Sequence, residues 1–274
     1  MTWVAGRRPS FVYALVTLVG SAAFLYPFWL PRVALPGQEH AGDAPLVAAA
    51  VGGLVVAALT LELRRGAMNG ATVALLGVLS AVAGLLRLLD LPGGGNGIFF
   101  IVVLAGAAFG PRFGMLLGLC AMATSAVVTG GIGPWLPFQM LALGWMGGGA
   151  GLTGRATGSW PMTARVVVLV AYGWIWGFLY GAIMNLEFWP FAISSGPLSW
   201  HPGLSFGATV SRYRSFYLAT SLAWDAAGAF TNAVLIALTG RAILTGMARV
   251  AHRLEPVVEL VALDPPMQPV VVAQ

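Results

Sequence analysis

Eight apolar runs, most close to the length that crosses a bilayer, dominate this sequence: 11–30, 45–61, 70–89, 97–110, 113–130, 136–154, 165–186 and 214–241. A spanning helix needs about 20 mostly apolar residues. Only 8% of the chain is charged, against about 25% in soluble domains. A soluble fold could not clothe its surface with so few charges, and disorder requires the opposite composition. The runs are rich in Ala, Leu and Gly and lack the alternation of a membrane barrel. The expectation is an all-α, polytopic membrane helical bundle of about eight spans. The run 97–110 is short, so it is expected to tilt, to borrow flanking residues or to cross a thinned region. The start carries Arg7 and Arg8, an apolar stretch and Ser21-Ala22-Ala23, as a secretory signal would. Its apolar character continues through Leu30, which predicts a retained helix.

All 14 basic residues are arginine. Without lysine the chain cannot be a P-loop ATPase, whose motif places a lysine on the phosphates, and it cannot form Schiff bases. Threading eight spans with a cytoplasmic N-terminus puts Arg7, Arg8, Arg64, Arg65, Arg112, Arg155, Arg165, Arg241, Arg249 and Arg253 inside. Only Arg32, Arg212 and Arg214 fall outside, and Arg87 lies within a span. This positive-inside bias predicts a multi-pass membrane protein with both termini in the cytoplasm. The net charge of +5 is thereby assigned to topology and lipid head groups. The basic residues form no single face, so no nucleic-acid partner is expected.

Three parts are expected along the chain: two N-terminal spans in 1–65, six more in 66–243, and a cytoplasmic tail in 244–274. The tail should start as a fraying helix and become disordered. The external loop 31–44, with Pro36, Gly37, Glu39, His40 and Asp43, joins the first two spans. The longer loop 187–213 is aromatic and rich in Pro and Gly, so it should fold back over the bundle. Glycines recur every four residues at 110, 114 and 118, at 147 and 151, and at 173, 177 and 181. Such rows let helix backbones approach closely, within the chain or against a partner helix.

Polar groups inside a membrane each call for an explanation. Asp225 is expected about 11 residues below the external end of the last span, hence about 16 Å deep at 1.5 Å per residue. A charged Asp at such depth costs about 3 kcal/mol. Ser221, Asp225, Gly228 and Asn232 share one helix face. That face is either an interhelical hydrogen-bond network or the floor of a ligand cavity. Arg87 could pair with Asp90 along its helix or reach into a central cavity. Around the external mouth lie Asn96, Trp135, Gln139, Asn185, Glu187, Trp189, Trp200, His201 and Arg212. Trp at this level is commonly an interfacial anchor, yet aromatics and amides together also suit a pocket for a flat ligand.

No catalytic residues are expected. Gly203-Leu-Ser205-Phe-Gly207 matches a nucleophile elbow only in letters, because no strand precedes it. The three histidines are far apart and Cys120 is the one cysteine, so neither a metal site nor a disulfide is expected. No cofactor is expected either.

Residues 98–155 carry FFIVVLAGAAFGPRFGMLLGLCAM and then VTGGIGPWLPFQMLALGWMGGGAGLTGR. These stretches resemble the substrate-binding S components of energy-coupling factor (ECF) vitamin transporters. Phe109-Gly-Pro-Arg-Phe-Gly114 and Gly131-Ile-Gly-Pro-Trp-Leu-Pro-Phe-Gln139 carry most of the likeness. The last span looks like the final helix of that family through Asp225, Asn232 and Gly240. The resemblance covers about 66–245.

It implies a six-helix receptor in a bacterial cell membrane that captures a vitamin or related micronutrient from outside, with a lean towards cobalamin-type cargo, and that is not itself an enzyme. Uptake would be driven by a transmembrane T component and two cytoplasmic ATPases. The implied ligand positions are Asn96, Trp135, Gln139, Asn185, Glu187, Trp189, Trp224 and Asp225. The implied docking face is Ala67 and Ala71, extended by Gly77 and Ala81. The two N-terminal spans lie outside the family pattern. The rival readings from the residues are a proton-coupled carrier using Asp225 and a purely structural membrane subunit.

Overall fold

The computed structural model describes residues 11–29, 42, 44–64, 68–89, 91, 95, 97–192 and 196–254. The helices run in the order α1 (Phe11–Trp29), α2 (Ala44–Arg64), α3 (Gly70–Leu86), α4 (Ile98–Phe109), α5 (Pro111–Thr129), α6 (Leu136–Ala156), α7 (Met162–Phe188), α8 (Phe206–Thr220) and α9 (Leu222–Leu254). Short 3-10 turns at Trp189–Phe191 and Gly196–Leu198 separate α7 from α8. The protein is an all-α membrane helical bundle. Among the described residues five helices are long and apolar enough to cross a bilayer, and α3 and α4 are shorter apolar helices. The expectations for Arg7, Arg8, Arg32, Arg65, Asp90, Asn96, Ala67, the loop 31–41 with Asp43, and the tail from 255 fall outside the described residues.

Seven of the eight expected spans match α1 to α7 within a few residues. The eighth does not. The run 214–241 contains a break at Ser221, which divides it between α8 and α9. The backbone stops α8 with Ser221 N–H on the Tyr217 carbonyl, and the Ser221 carbonyl then accepts from Asp225 N–H at 2.9 Å. Ser221 thus opens α9 as it closes α8. Asp225 consequently lies in the first turn of α9, not eleven residues into a span. From there α9 continues unbroken past 243 to Leu254.

The middle of the bundle is α4. Its 12 residues are about 18 Å long at 1.5 Å per residue, too short to span alone. Ten of them are buried, as a helix apolar all round requires. Helices α3, α5, α6, α7 and α9 enclose it. Gly110, at φ 94°, ends α4 and starts α5 in one residue. Only glycine takes that backbone readily, and Pro111 then occupies the first position of α5, where its missing N–H is no loss.

The expected glycine rows pack within the chain. Gly114 of α5 faces Gly147 of α6, and Gly151 lies against Gly110 and Pro111. A Cβ on either Gly114 or Gly147 would overlap the other's carbonyl. This backbone-to-backbone seam binds α4, α5 and α6 into one core.

The N-terminal helices sheathe α6. Phe24 packs between Phe138 and Trp145, with ring centroids at 5.1 and 5.6 Å. At the end of α2, Glu62 is only 2% exposed and accepts from Arg112 of α5 at 3.1 Å. A cation in the first turn of a helix opposes the helix dipole, and Glu62 offsets it. Tyr13 of α1 lies beside this pair.

Candidate functional site

The candidate site is the bundle end covered by residues 189–192 and 196–205, the roofed end. Its floor is the seam between α7 and α9. Gly173, Gly177 and Gly181 of α7 meet the polar face of α9 turn by turn. Asn185 Nδ2 donates to Ser221 Oγ at 2.7 Å, and Asn232 Nδ2 donates to the Gly173 carbonyl at 2.9 Å. Between these bonds, Gly177 lies against Ala229 and Gly181 against the Asp225 carboxylate. A Cβ at Gly181 would overlap both carboxylate oxygens. The glycine row and the polar stripe are therefore two halves of one seam.

Asp225 is held from two sides. The first turn of a helix favours a carboxylate, because free N–H groups point that way. The Tyr217 hydroxyl of α8 lies against the carboxylate and also donates to the Phe178 carbonyl of α7 at 3.5 Å. One turn earlier, the Tyr213 hydroxyl donates to the Ala182 carbonyl. Asp225 Oδ2 is nevertheless buried with no hydrogen-bond partner among the described residues, as is Asn232 Oδ1. Buried polar atoms rarely stay unpaired in folded proteins. Asp225 Oδ2 is therefore an acceptor still open to a donor.

No protein-family model, curated protein or solved structure matches the chain.

The roof is aromatic. Trp189 is fully buried, and its indole N–H donates to the Leu198 carbonyl at 2.8 Å. Around it stand Tyr213, Phe28 and Phe216, at centroid distances of 5.3, 6.1 and 6.2 Å. Trp200 meets Phe28 edge-on at 5.6 Å. Arg212 of α8 donates to the carbonyls of Gly196 at 2.9 Å and Ser199 at 3.1 Å. Residues 189–192 and 196–205 of the expected loop thus fold back over the bundle, whereas its end, 206–213, is the first half of α8. Ser205, the serine of the Gly-x-Ser-x-Gly stretch, caps α8 by accepting from Ala208 N–H at 3.3 Å.

A second loop enters from the α3 side. Gly97 N–H donates to the Leu86 carbonyl at 3.1 Å, and Leu91 pairs with Gly95. Gly95 reaches Thr231 of α9, so close that a Cβ on it would stand 2.6 Å from the hydroxyl. Phe99 meets Tyr180 with tilted rings, centroids at 4.7 Å. Arg87 and Glu187 both lie within electrostatic reach of the Tyr180 hydroxyl. Arg87 itself reaches α5, with Nη1 2.8 Å from Met122 Sδ and 3.4 Å from Ser125 Oγ. Its pairing with Asp90 lies outside the described residues.

The expected ligand positions separate into three groups. Asn185 and Asp225 meet Ser221 on the seam, with Glu187 and Trp189 buried at the end of α7. Trp135 and Gln139 stand at the start of α6, the former exposed and the latter half-buried. Trp224, although next to Asp225, is 69% exposed, since adjacent helical residues point about 100° apart. Asn96 falls outside the described residues. The sequence reading missed Tyr213, Tyr217 and Gly181 as the neighbours of Asp225. The four-residue spacing of the two tyrosines was the available signal. Among the described residues no three His, Cys, Asp or Glu side chains converge as metal ligands would.

Proposed function

We propose that this chain is the substrate-binding subunit of an ATP-driven importer of the ECF class, taking up a vitamin or related micronutrient. One observation carries the reading: Asp225 keeps a buried, unpaired acceptor oxygen at the end of the bundle where the aromatic roof, Arg87 and Glu187 also gather. A ligand N–H or O–H would complete it. The arginine distribution supports placing this end outside the cell and both termini in the cytoplasm. The ligand is recognised by stacking and edge hydrogen bonds, and among the vitamins carried by similar proteins the cobalamin type is the favoured cargo. The protein binds and releases; energy comes from a T component and two ATPases. The test is mass spectrometry of the small molecule released when the purified protein is denatured. A vitamin-class compound is expected. A structural subunit would release nothing, and a proton-coupled carrier would transport in vesicles without ATPase partners.

The partner surface follows from α3. Ala71, Gly77 and Ala81 all face outward, and nothing stands within 4 Å of a Cβ built on Gly77. A small-residue face of this kind lets another helix pack closely. Ala71→Trp should therefore leave ligand binding within about twofold, because surface substitutions rarely exceed 0.5 kcal/mol, while abolishing ATP-driven uptake. Normal uptake by that variant would remove α3 from the docking surface.

A further inference from the structure

We infer that α8 is a membrane-interface helix whose outer face seats in the boundary between lipid head groups and acyl chains, with Arg214 on a lipid phosphate. The inner face of α8 is occupied: Phe216 is buried, Tyr213 and Tyr217 bond to α7, and Arg212 bonds to the roof. The outer face is not. Phe206 is 86% exposed, and Val210 and Leu218 are each 50% exposed. Arg214 is also exposed and falls in the same row, four residues from Val210 and from Leu218. It has no carboxylate partner among the described residues. A row of large apolar groups with an arginine at its middle suits neither water nor the acyl core. It matches the interface, where the side chains enter the hydrocarbon and the guanidinium stays with the phosphates.

Two further observations select lipid as the occupant. The exposed apolar row continues through Leu222 into Phe230, Val234 and Leu238 on the outside of α9, a helix with the length and composition of a span. The surface is therefore continuous with the face that the bundle turns to the bilayer. Trp224 marks the join, and Trp is the residue that concentrates at that depth. Seated in this way, α8 fixes the height of Tyr217, and with it one wall around Asp225.

The test uses the full chain with Cys120→Ser, carrying single cysteines in place of Val210, Leu218, Leu238 or His201. Each is spin-labelled and placed in phosphatidylcholine–phosphatidylglycerol vesicles. Collision with oxygen, which concentrates in lipid, is compared with collision with a water-soluble nickel chelate. At 210 and 218 oxygen should dominate, as at 238, whereas at 201 the chelate should dominate. Adding Arg214→Glu should shift 210 and 218 towards the chelate. Chelate dominance at 210 and 218 without that change would overturn the inference in favour of a solvent-exposed helix. Shielding from both reagents would overturn it in favour of a protein partner. Should a cysteine variant fail to insert, quenching of Trp fluorescence by bromolipids in the unlabelled chain gives the same decision, since Trp224→Phe should remove part of the quenching and no change would refute a lipid-seated α8–α9 junction.

Discussion

Asp225→Ala should weaken ligand binding by at least about thirtyfold, while the protein still inserts and purifies in normal amounts. Truncating one side of a buried, charge-assisted hydrogen bond costs about 2–5 kcal/mol, and 1.4 kcal/mol is about a factor of ten. The fold should tolerate the loss. The α7–α9 seam keeps the Asn185–Ser221 and Asn232–Gly173 bonds and the Gly177–Ala229 contact. Tyr217 keeps the Phe178 carbonyl. The substitution also removes an acceptor whose Oδ2 has no donor among the described residues, so no new orphan is created. Titration of the purified variant with the compound released from the wild type measures the loss. Asp225→Asn separates charge from hydrogen bonding, since the amide keeps one acceptor and loses the negative charge. Unchanged affinity in the alanine variant would assign Asp225 to the seam alone.

Gly147→Val should have the largest effect on stability. Its side chain would have to occupy the space held by the Gly114 carbonyl, with Val102 also near. Neither α5 nor α6 can retreat, because Gly118 meets Leu143 and Gly151 meets Pro111 along the same seam. Overpacking costs about 1–3 kcal/mol where side chains can adjust, and more where they cannot. Backbone against backbone is the second case, and native proteins hold only about 5–15 kcal/mol in total. Loss of monodisperse protein in detergent, or a large drop in thermal midpoint, is the expected result. Gly77→Val is the control: its Cβ would meet nothing, so stability should change by about 0.5 kcal/mol or less. Equal damage from both variants would mean that glycine content, not the α5–α6 contact, sets stability.

The features legible in the sequence were those with a local signature. Apolar runs gave α1 to α7, and glycines at four-residue spacing marked the faces that pack. The short run at 97–110 was visible as an anomaly. Its surroundings were not, because they depend on distant helices and on Gly95, which meets Thr231 from more than a hundred residues away. The break at Ser221 was hidden for a different reason. It carries neither Pro nor Gly, and the stretch around it from Leu218 to Trp224 is mostly apolar, so the run looked continuous. That single hidden break displaced Asp225 from the middle of a span to its first turn. Asn185 and Asp225 were legible as isolated polar residues, but their shared contacts with Ser221 and Gly181 required the third dimension. Arg112 was counted with the topology-setting charges, and its bond to Glu62 could not be read from a one-dimensional pattern.

That bond also imposes an order on how the chain is made. Glu62 precedes Arg112 by 50 residues, so during synthesis the first helical pair reaches the membrane before its counter-ion exists. An unpaired carboxylate at that level is costly to commit to lipid. Release of α2 from the insertion machinery should therefore wait for α5, and the first five helices should leave as a group. A chain truncated before residue 112 would leave the Glu62 carboxylate without its Arg112 partner, the kind of defect by which quality control distinguishes an unfinished membrane protein from a finished one.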